Sequence, residues 1–236
     1  MTRARRWPYV VAFLLALPIA GLCFAYWTVS HPANEPRALP PELVSLASPE
    51  GATFLARSSA RADLAPLERA FQTQEKSSWC GVASSAIVLS ALQHRYVAQA
   101  SVFDGPASEV RSQLRVTFGG MTLDDLGGIL RGHGRRVTVV HAGDASVDAF
   151  RAVVRANLAT PGDYLVVNYA RAALGQGDTG HVSPLAAYDE TSDRVLVLEP
   201  ARYRWPATWV PLAAMFRAMN TVDPDRGRTR GWVVVR

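Results

Sequence analysis

The chain contains little cysteine, since among its 236 residues only Cys23 and Cys80 occur. Cys23 lies in an apolar leader, so Cys80 has no evident disulfide partner. There are no closely spaced cysteine pairs of the kind that hold structural zinc. We therefore expect no disulfide framework, no resident metal site and no required cofactor, and a Cys80 thiol that is free for chemistry.

Charge is also sparse and unevenly distributed. The formal net charge is +5, and three of the basic residues, Arg3, Arg5 and Arg6, stand at the N-terminus. The rest of the chain is nearly neutral and has no basic run interleaved with aromatic residues. We therefore expect no nucleic-acid partner.

The segment from Trp7 to Ser30 has no charged residue at all. About 20 apolar residues are enough to cross a bilayer as a helix. Because Arg3, Arg5 and Arg6 precede the segment, the positive-inside rule places the N-terminus in the cytoplasm. This pattern predicts one N-terminal transmembrane helix that anchors the protein in the inner membrane, with the remaining chain in the periplasm. The alternative is a signal sequence, whose cleavage would secrete the domain to the periplasm.

Three regions follow from composition: a membrane anchor or signal sequence over residues 1–30, a Pro-rich linker over 31–47 and one domain over 48–236. Within that domain, helical patterns come first and strand patterns come second. The strands are predicted at residues 136–141, 164–169, 181–188, 194–198 and 232–235. This order predicts an α+β fold in which a helical N-terminal half packs on an antiparallel sheet.

The segment around Cys80 carries the clearest chemical signal. Gln74 stands six residues before Cys80, and an apolar stretch with helical character, residues 82–92, follows it. A thiol at a helix N-terminus experiences the positive end of the helix dipole, which favours the thiolate. A nearby amide can stabilise an oxyanion. We interpret Cys80 as a candidate nucleophile; the alternative is a buried structural cysteine.

A cysteine nucleophile needs a base and a group that orients the base. The chain has five histidines: His31, His94, His133, His141 and His181. His181 is the best candidate base because it follows a glycine-rich loop and begins a predicted strand. The polar turn at residues 189–193 predicts a hairpin that places Glu199 opposite His181. Asp189 and Asp193 are weaker candidates for the acid, since both lie in the turn.

The chain resembles the phytochelatin synthase family of glutathione γ-glutamylcysteinyltransferases over about residues 46–236. The blocks that carry the resemblance are residues 48–51, 71–74, 80–84, 87–92, 120–126, 166–169, 174–176, 180–184, 201–203 and 209–212. The resemblance implies a papain-like cysteine proteinase fold. It also implies that Cys80 is the nucleophile, His181 the general acid and base, and Gln74 a contributor to the oxyanion hole.

The resemblance also shows a departure at the third catalytic position. The family has an aspartate there, and this chain has Glu199, whose side chain is one methylene longer. Two further family positions near the site, an arginine and an aspartate, fall on Arg202 and Asp223, where they would support the substrate pocket. Arg228 and Arg230 either hold substrate carboxylates or are ordinary surface charges.

The implied reaction is cleavage of the Cys–Gly amide of glutathione through a γ-glutamylcysteinyl thioester. As in short prokaryotic members of the family, hydrolysis is expected to dominate over transfer to a second glutathione. Cadmium or zinc glutathione thiolates could act as substrate or activator, and a homodimer is an expected assembly. Two other interpretations stay open: a papain-like leader peptidase of the double-glycine type, and a catalytically degenerate thiol- or metal-binding module.

Overall fold

The computed structural model describes the backbone of residues 7–236 and the side-chain surroundings of residues 16–236. The helices are α1 Trp7–Ser30, α2 Pro49–Arg57, α3 Leu64–Arg69, α4 Cys80–Gln93, α5 Ala107–Val110, α6 Gln113–Gly119, α7 Leu123–Gly132, α8 Val147–Leu158 and α9 Leu212–Met219. The strands are β1 Val44–Ser45, β2 Val137–His141, β3 Tyr164–Ala170, β4 Gly180–Asp189, β5 Arg194–Val197, β6 Thr208–Pro211, β7 Val222–Asp223, β8 Arg228–Thr229 and β9 Gly231–Val235.

The N-terminal segment forms helix α1, as the uncharged run predicts. Among the described residues, however, no helix is both long enough and apolar enough to span a bilayer. The transmembrane helix expected over residues 1–30 is therefore not supported. Arg3, Arg5 and Arg6, on which the expected orientation depends, lie outside the described residues.

The domain is built on a seven-stranded sheet with the order β1-β6-β5-β4-β3-β9-β2. Each neighbouring pair of strands in this sheet is antiparallel. Strands β7 and β8 form a separate two-stranded hairpin. Helices and antiparallel strands occupy separate parts of the chain for most of its length, so the α+β prediction is confirmed.

Both faces of the sheet are covered, because side chains alternate between two cores. Along β3, Tyr164 and Val166 belong to the core that contains α4 and α7. Leu165, Val167 and Tyr169 belong to the core that contains α8 and α9. Such alternation is the period of a pleated strand, and burial on both sides explains why β3 is apolar almost throughout.

Helix α4 lies deep in the first core, and residues 81–91 are all buried. Small residues on this helix allow close contact with β4: Ser84 is fully buried, and its hydroxyl donates to the carbonyl of Val182 at 3.0 Å. This contact fixes the start of β4 against the start of α4. The two elements that carry Cys80 and His181 are thereby held together.

The Pro-rich segment after α1 has no helix or strand until β1, as its composition predicts. It nevertheless contacts the domain. The Arg37 N–H donates to the Arg204 carbonyl at 3.0 Å, and the Leu43 side chain is buried in the second core. The segment therefore runs along the domain surface over its second half.

The β4–β5 hairpin forms as predicted, but its register differs from the expected one. Asp189 pairs with Arg194, and an irregularity follows before the ladder ends at Leu185 and Val197. Glu199 lies two residues beyond the end of β5 and is not a direct cross-strand partner of His181. Its side chain reaches the imidazole from outside the ladder.

Candidate active site

Cys80 is the first residue of α4, as the sequence predicts. The first N–H groups of a helix have no partner within the helix and point toward any group at its end. The preceding residue, Trp79, is buried, and its indole N–H donates to the Thr117 hydroxyl at 3.1 Å. Ser78 is held in turn by a 2.6 Å hydrogen bond to the Thr117 carbonyl. These contacts fix the thiol at the helix N-terminus.

His181 lies at the beginning of β4 and lines the same cavity as Cys80, close enough that each side chain shifts the pKa of the other. Tyr169, which pairs with His181 across β3 and β4, packs its ring edge against the imidazole with centroids 5.6 Å apart. The imidazole is almost completely buried. Burial and the contact with Tyr169 restrict the orientation of the ring.

Glu199 lies on the far side of the imidazole. His181 Nε2 and Glu199 Oε1 are 2.7 Å apart, which leaves Nδ1 to face Cys80. The approach is short but not aligned as a linear hydrogen bond, since Nε2 has no partner of good hydrogen-bond geometry among the described residues. Glu199 Oε1 also accepts from the Ala201 N–H at 2.8 Å. Glu199 is thus the carboxylate that lies beside His181, and its catalytic role stays a prediction.

The three groups shift one another's pKa. Burial raises the pKa of Cys80, but the charges of His181 and Arg171 and the contacts with His181 and the Val182 N–H outweigh it, so the net shift is downward. Burial and Arg171 lower the pKa of His181, while Glu199 and Cys80 raise it more. Burial opposes ionisation of Glu199, but His181 and Arg171 bring its pKa down to about 2. The arrangement favours a thiolate, an imidazolium and a carboxylate together.

Arg171 is a site residue that the sequence reasoning missed. It follows β3 and is almost completely buried. Its guanidinium donates to Glu199 Oε2 at 2.8 Å and to Gln176 Oε1 at 3.0 Å. The sequence carries a signal for this residue. Arg171 directly follows the apolar strand β3 and precedes the glycine-rich loop that leads to His181.

Gln74 lies in the loop before Cys80 and is buried at the pocket edge. Its Nε2 donates to the carbonyls of Lys76 and Ser77, at 2.9 and 3.0 Å, and to the Tyr203 hydroxyl at 2.8 Å. The amide therefore holds the loop. Its role in an oxyanion hole stays a prediction, and the N–H groups at the start of α4 are further donors beside the thiol.

A cavity of about 430 Å³ opens on Cys80 and His181. Asp223 and Arg230 also line it, from the β7–β8 hairpin and the residue that follows it. Arg230 is largely buried and donates through Nη1 to the carbonyl of Val222 at 2.8 Å. Its Nε has no hydrogen-bond partner among the described residues.

The structure does not bring Arg202 and Asp223 together. Arg202 is exposed, lies over the Phe71 ring at 4.4 Å, and donates to the Glu199 carbonyl at 3.1 Å. The pocket lining includes Asp223 but not Arg202. Arg202 therefore supports the backbone of the acid, while Arg230 is the arginine that shares the pocket with Asp223.

Arg228 lies outside the pocket, where it pairs with Asp144 at 3.2 Å on the surface. Of the two arginines considered together in the sequence, only Arg230 therefore lines the cavity. Among the described residues, no group of three or more histidine, cysteine or acidic side chains is placed to hold a metal ion.

Comparison with known proteins identifies the family. The family model for phytochelatin synthase matches residues 34–232. The chain belongs to the phytochelatin synthase family. Relatives named glutathione gamma-glutamylcysteinyltransferase 3 and 1, both from Lotus japonicus, are 30% and 32% identical over 84% and 70% of this chain. One of that general name from Schizosaccharomyces pombe is 26% identical over 69% of it. The matched regions span only 43%, 34% and 41% of these relatives.

Proposed function

We propose that this member of the phytochelatin synthase family cleaves the Cys–Gly amide of glutathione through a thioester on Cys80. The observation that carries the proposal is the order thiol, imidazole and carboxylate of Cys80, His181 and Glu199, with Cys80 and His181 lining one cavity. The names of its relatives support glutathione as the substrate. The antiparallel sheet packed against the helix that begins at Cys80 supports the papain-like fold as part of the proposal.

Binding of the γ-glutamyl end follows from the charges in the pocket. Arg230 supplies a guanidinium charge for the α-carboxylate, and Asp223 offers a carboxylate for the α-ammonium group. Arginine suits a planar carboxylate because its donors form a rigid fork. With this end held, the Cys–Gly amide of a glutathione molecule reaches Cys80.

The chemistry begins with attack of the Cys80 thiolate on the amide carbonyl carbon. The oxyanion is stabilised by the N–H groups at the start of α4 and, on our hypothesis, by Gln74. His181 gives its Nδ1 proton to the departing glycine amine as the C–N bond breaks. Glu199 stabilises the imidazolium that precedes this step. A γ-glutamylcysteinyl thioester remains on Cys80.

Neutral His181 then accepts a proton from the incoming nucleophile. Attack by water releases γ-glutamylcysteine and returns the sulfur as thiolate. Attack by the amine of a second glutathione gives a short phytochelatin. The reaction as written needs no resident metal, and cadmium or zinc glutathione thiolates are proposed as alternative substrates or activators.

The test is incubation of the full chain with glutathione, with products followed by mass spectrometry and Cys80→Ser as the control. We expect glycine and γ-glutamylcysteine from the wild type and neither from the variant. Release of glycine in the presence of EDTA tests the independence from metal. No glycine release by the folded wild type, with or without cadmium, contradicts the proposal. Turnover of a double-glycine leader peptide would then favour the peptidase, and thiol binding without turnover would favour the degenerate module.

We also propose that the catalytic domain works on the periplasmic side of the inner membrane. The sequence feature that supports export is the uncharged run over Trp7–Ser30, which follows three arginines. A C-terminal reporter that is active only after export tests it, and activity of a cytoplasm-specific reporter contradicts it. The mass of the mature protein separates an anchor from a cleaved signal sequence. We also propose that the protein forms a homodimer, which light scattering tests through the molar mass in solution.

A further inference from the structure

The last turn of α1 forms part of the catalytic pocket. Val29 lines the same cavity as Cys80 and His181. The family model begins to match only at residue 34, so this wall comes from outside the matched region. The pocket of this chain thus combines a family core with an element from its own N-terminal segment.

Two kinds of contact hold this turn in place. The Val29 carbonyl accepts from the Ser77 N–H at 2.9 Å, in the loop that leads to Cys80. The Lys76 ammonium lies 5.4 Å from the Tyr26 ring and 4.2 Å from the Trp79 ring. A cation between two aromatic faces attracts both. The end of α1 is therefore fastened to the residues just before the nucleophile.

The volume of the cavity corresponds to a single small ligand. Pockets of about 300–1,000 Å³ accommodate one drug-sized ligand. This cavity, at about 430 Å³, lies in the lower part of that range. Hydrolysis needs room for the γ-glutamylcysteinyl group and one water. Transfer needs room for the same group and a complete second tripeptide.

The Val29 wall is also chemically unsuited to a peptide acceptor. Its side chain is apolar, and its carbonyl is already occupied by Ser77. A polar tripeptide gains no hydrogen bond from this side chain or from this carbonyl. A water molecule needs neither the room of a second tripeptide nor a hydrogen-bond partner at Val29.

We propose that the last turn of α1, through Val29, restricts the acceptor at the Cys80 thioester and so favours water over a second glutathione. The inference rests on the proposed function and on the presence of α1 in the mature protein. In the transfer step that is restricted, the acceptor amine nitrogen bonds to the thioester carbonyl carbon and the C–S bond breaks. The sulfur leaves as the Cys80 thiolate, and His181 takes the amine proton.

The test uses the full chain with glutathione as donor and two competing acceptors of different size, glutathione and hydroxylamine. Hydroxylamine intercepts thioesters as hydroxamates and is small enough to pass a narrowed wall. The measured quantity is the ratio of (γ-Glu-Cys) oligomer to hydroxamate. We expect Val29→Ala to raise this ratio by about threefold or more and Val29→Phe to lower it, since one or two methylene groups in a pocket change selectivity on this scale.

Leu22→Ala is the matched control, because Leu22 is on the same helix, is 70% exposed and does not line the pocket. It should leave the ratio at the wild-type value. Val29 variants with the wild-type ratio, or an equal change in Leu22→Ala, overturn the inference while leaving glycine release intact. If the wild type releases no glycine from glutathione, that result instead refutes the proposed function.

Discussion

The guanidinium of Arg171 donates to Glu199 Oε2 at 2.8 Å, and both side chains are almost completely buried. The other carboxylate oxygen, Oε1, faces His181. Arg171 thus holds the longer glutamate in the position from which it meets the imidazole. The positive charge of Arg171 also offsets part of the desolvation cost of burying Glu199 in its ionised form, which the site needs.

Arg171→Met should destabilise the protein strongly, because it leaves Glu199 as a buried charge without its partner. Breaking such a pair costs about 3–5 kcal/mol. Denaturant unfolding measures the change. The matched control is Arg155→Met, which removes an ion pair with Glu190 in which both side chains are exposed. Loss of this pair should lower the free energy of unfolding by only about 0–1 kcal/mol. Equal losses in the two variants would show that the buried pair contributes nothing special.

Glu199→Gln should lower kcat/KM for glycine release by about 10²-fold or more, since the imidazolium loses the charge that stabilises it. The alkaline limb of the pH profile should move to lower pH, because Glu199 is what raises the pKa of His181. Glu199→Asp keeps the charge but is too short to contact both Arg171 and His181, so its activity should lie between the two. A Gln variant with the wild-type profile would remove Glu199 from the mechanism.

The pH dependence of kcat/KM should be bell-shaped. On the acid side activity falls as the Cys80 thiolate is protonated, and the lowered pKa of Cys80 places this limb below the usual range of a thiol. On the alkaline side activity falls as His181 loses its proton, and its raised pKa places this limb above the usual range of a histidine. Alkylation of Cys80 by iodoacetamide in a Cys23→Ser background checks the acid limb separately. A single ascending limb near pH ~8.5, the value of an ordinary thiol, would contradict the ion pair.

Gln74→Ala should reduce kcat by about 10²-fold if its amide serves the oxyanion, with a smaller effect on KM. Gln72→Ala is the control: that side chain donates to the Val97 carbonyl at 2.8 Å and does not line the pocket. Steady-state kinetics with glutathione separate kcat from KM. Equal effects of the two substitutions would limit Gln74 to its observed role in holding the loop.

Asp63 should make stability depend on pH. Burial is the main reason that its pKa is raised to about 7, with a smaller contribution from Asp163. Between pH ~4 and ~7 the folded state holds a proton that the unfolded chain has released, so the free energy of unfolding falls as pH rises and then levels off. Asp63→Asn should flatten this slope in denaturant titrations, and Asp104→Asn, at an exposed position, should not. A slope that persists in Asp63→Asn would assign it to another group.

The local elements with strong patterns could be predicted from sequence. The helix that begins at Cys80 and the strand β3 occur where their patterns place them. A local signal, a threonine three residues before an aspartate, also marks the start of α7. In α7, the Thr122 side chain and Asp125 form the reciprocal cap that begins the helix. The short elements β1, β6 and α9 were not predicted, because strands of two to four residues and a helix after a proline carry little periodic signal.

The sequence by itself determined the nucleophile candidate, the base candidate and the α+β class, because helix position, chain order and hydrophobic period are local properties. Only the tertiary structure decided that Arg171 supports Glu199, that Arg230 rather than Arg202 shares the pocket with Asp223, and that Val29 forms part of its wall. These relationships join residues far apart in the chain. They depend on how α4, the sheet and α1 pack, and no local pattern encodes that geometry.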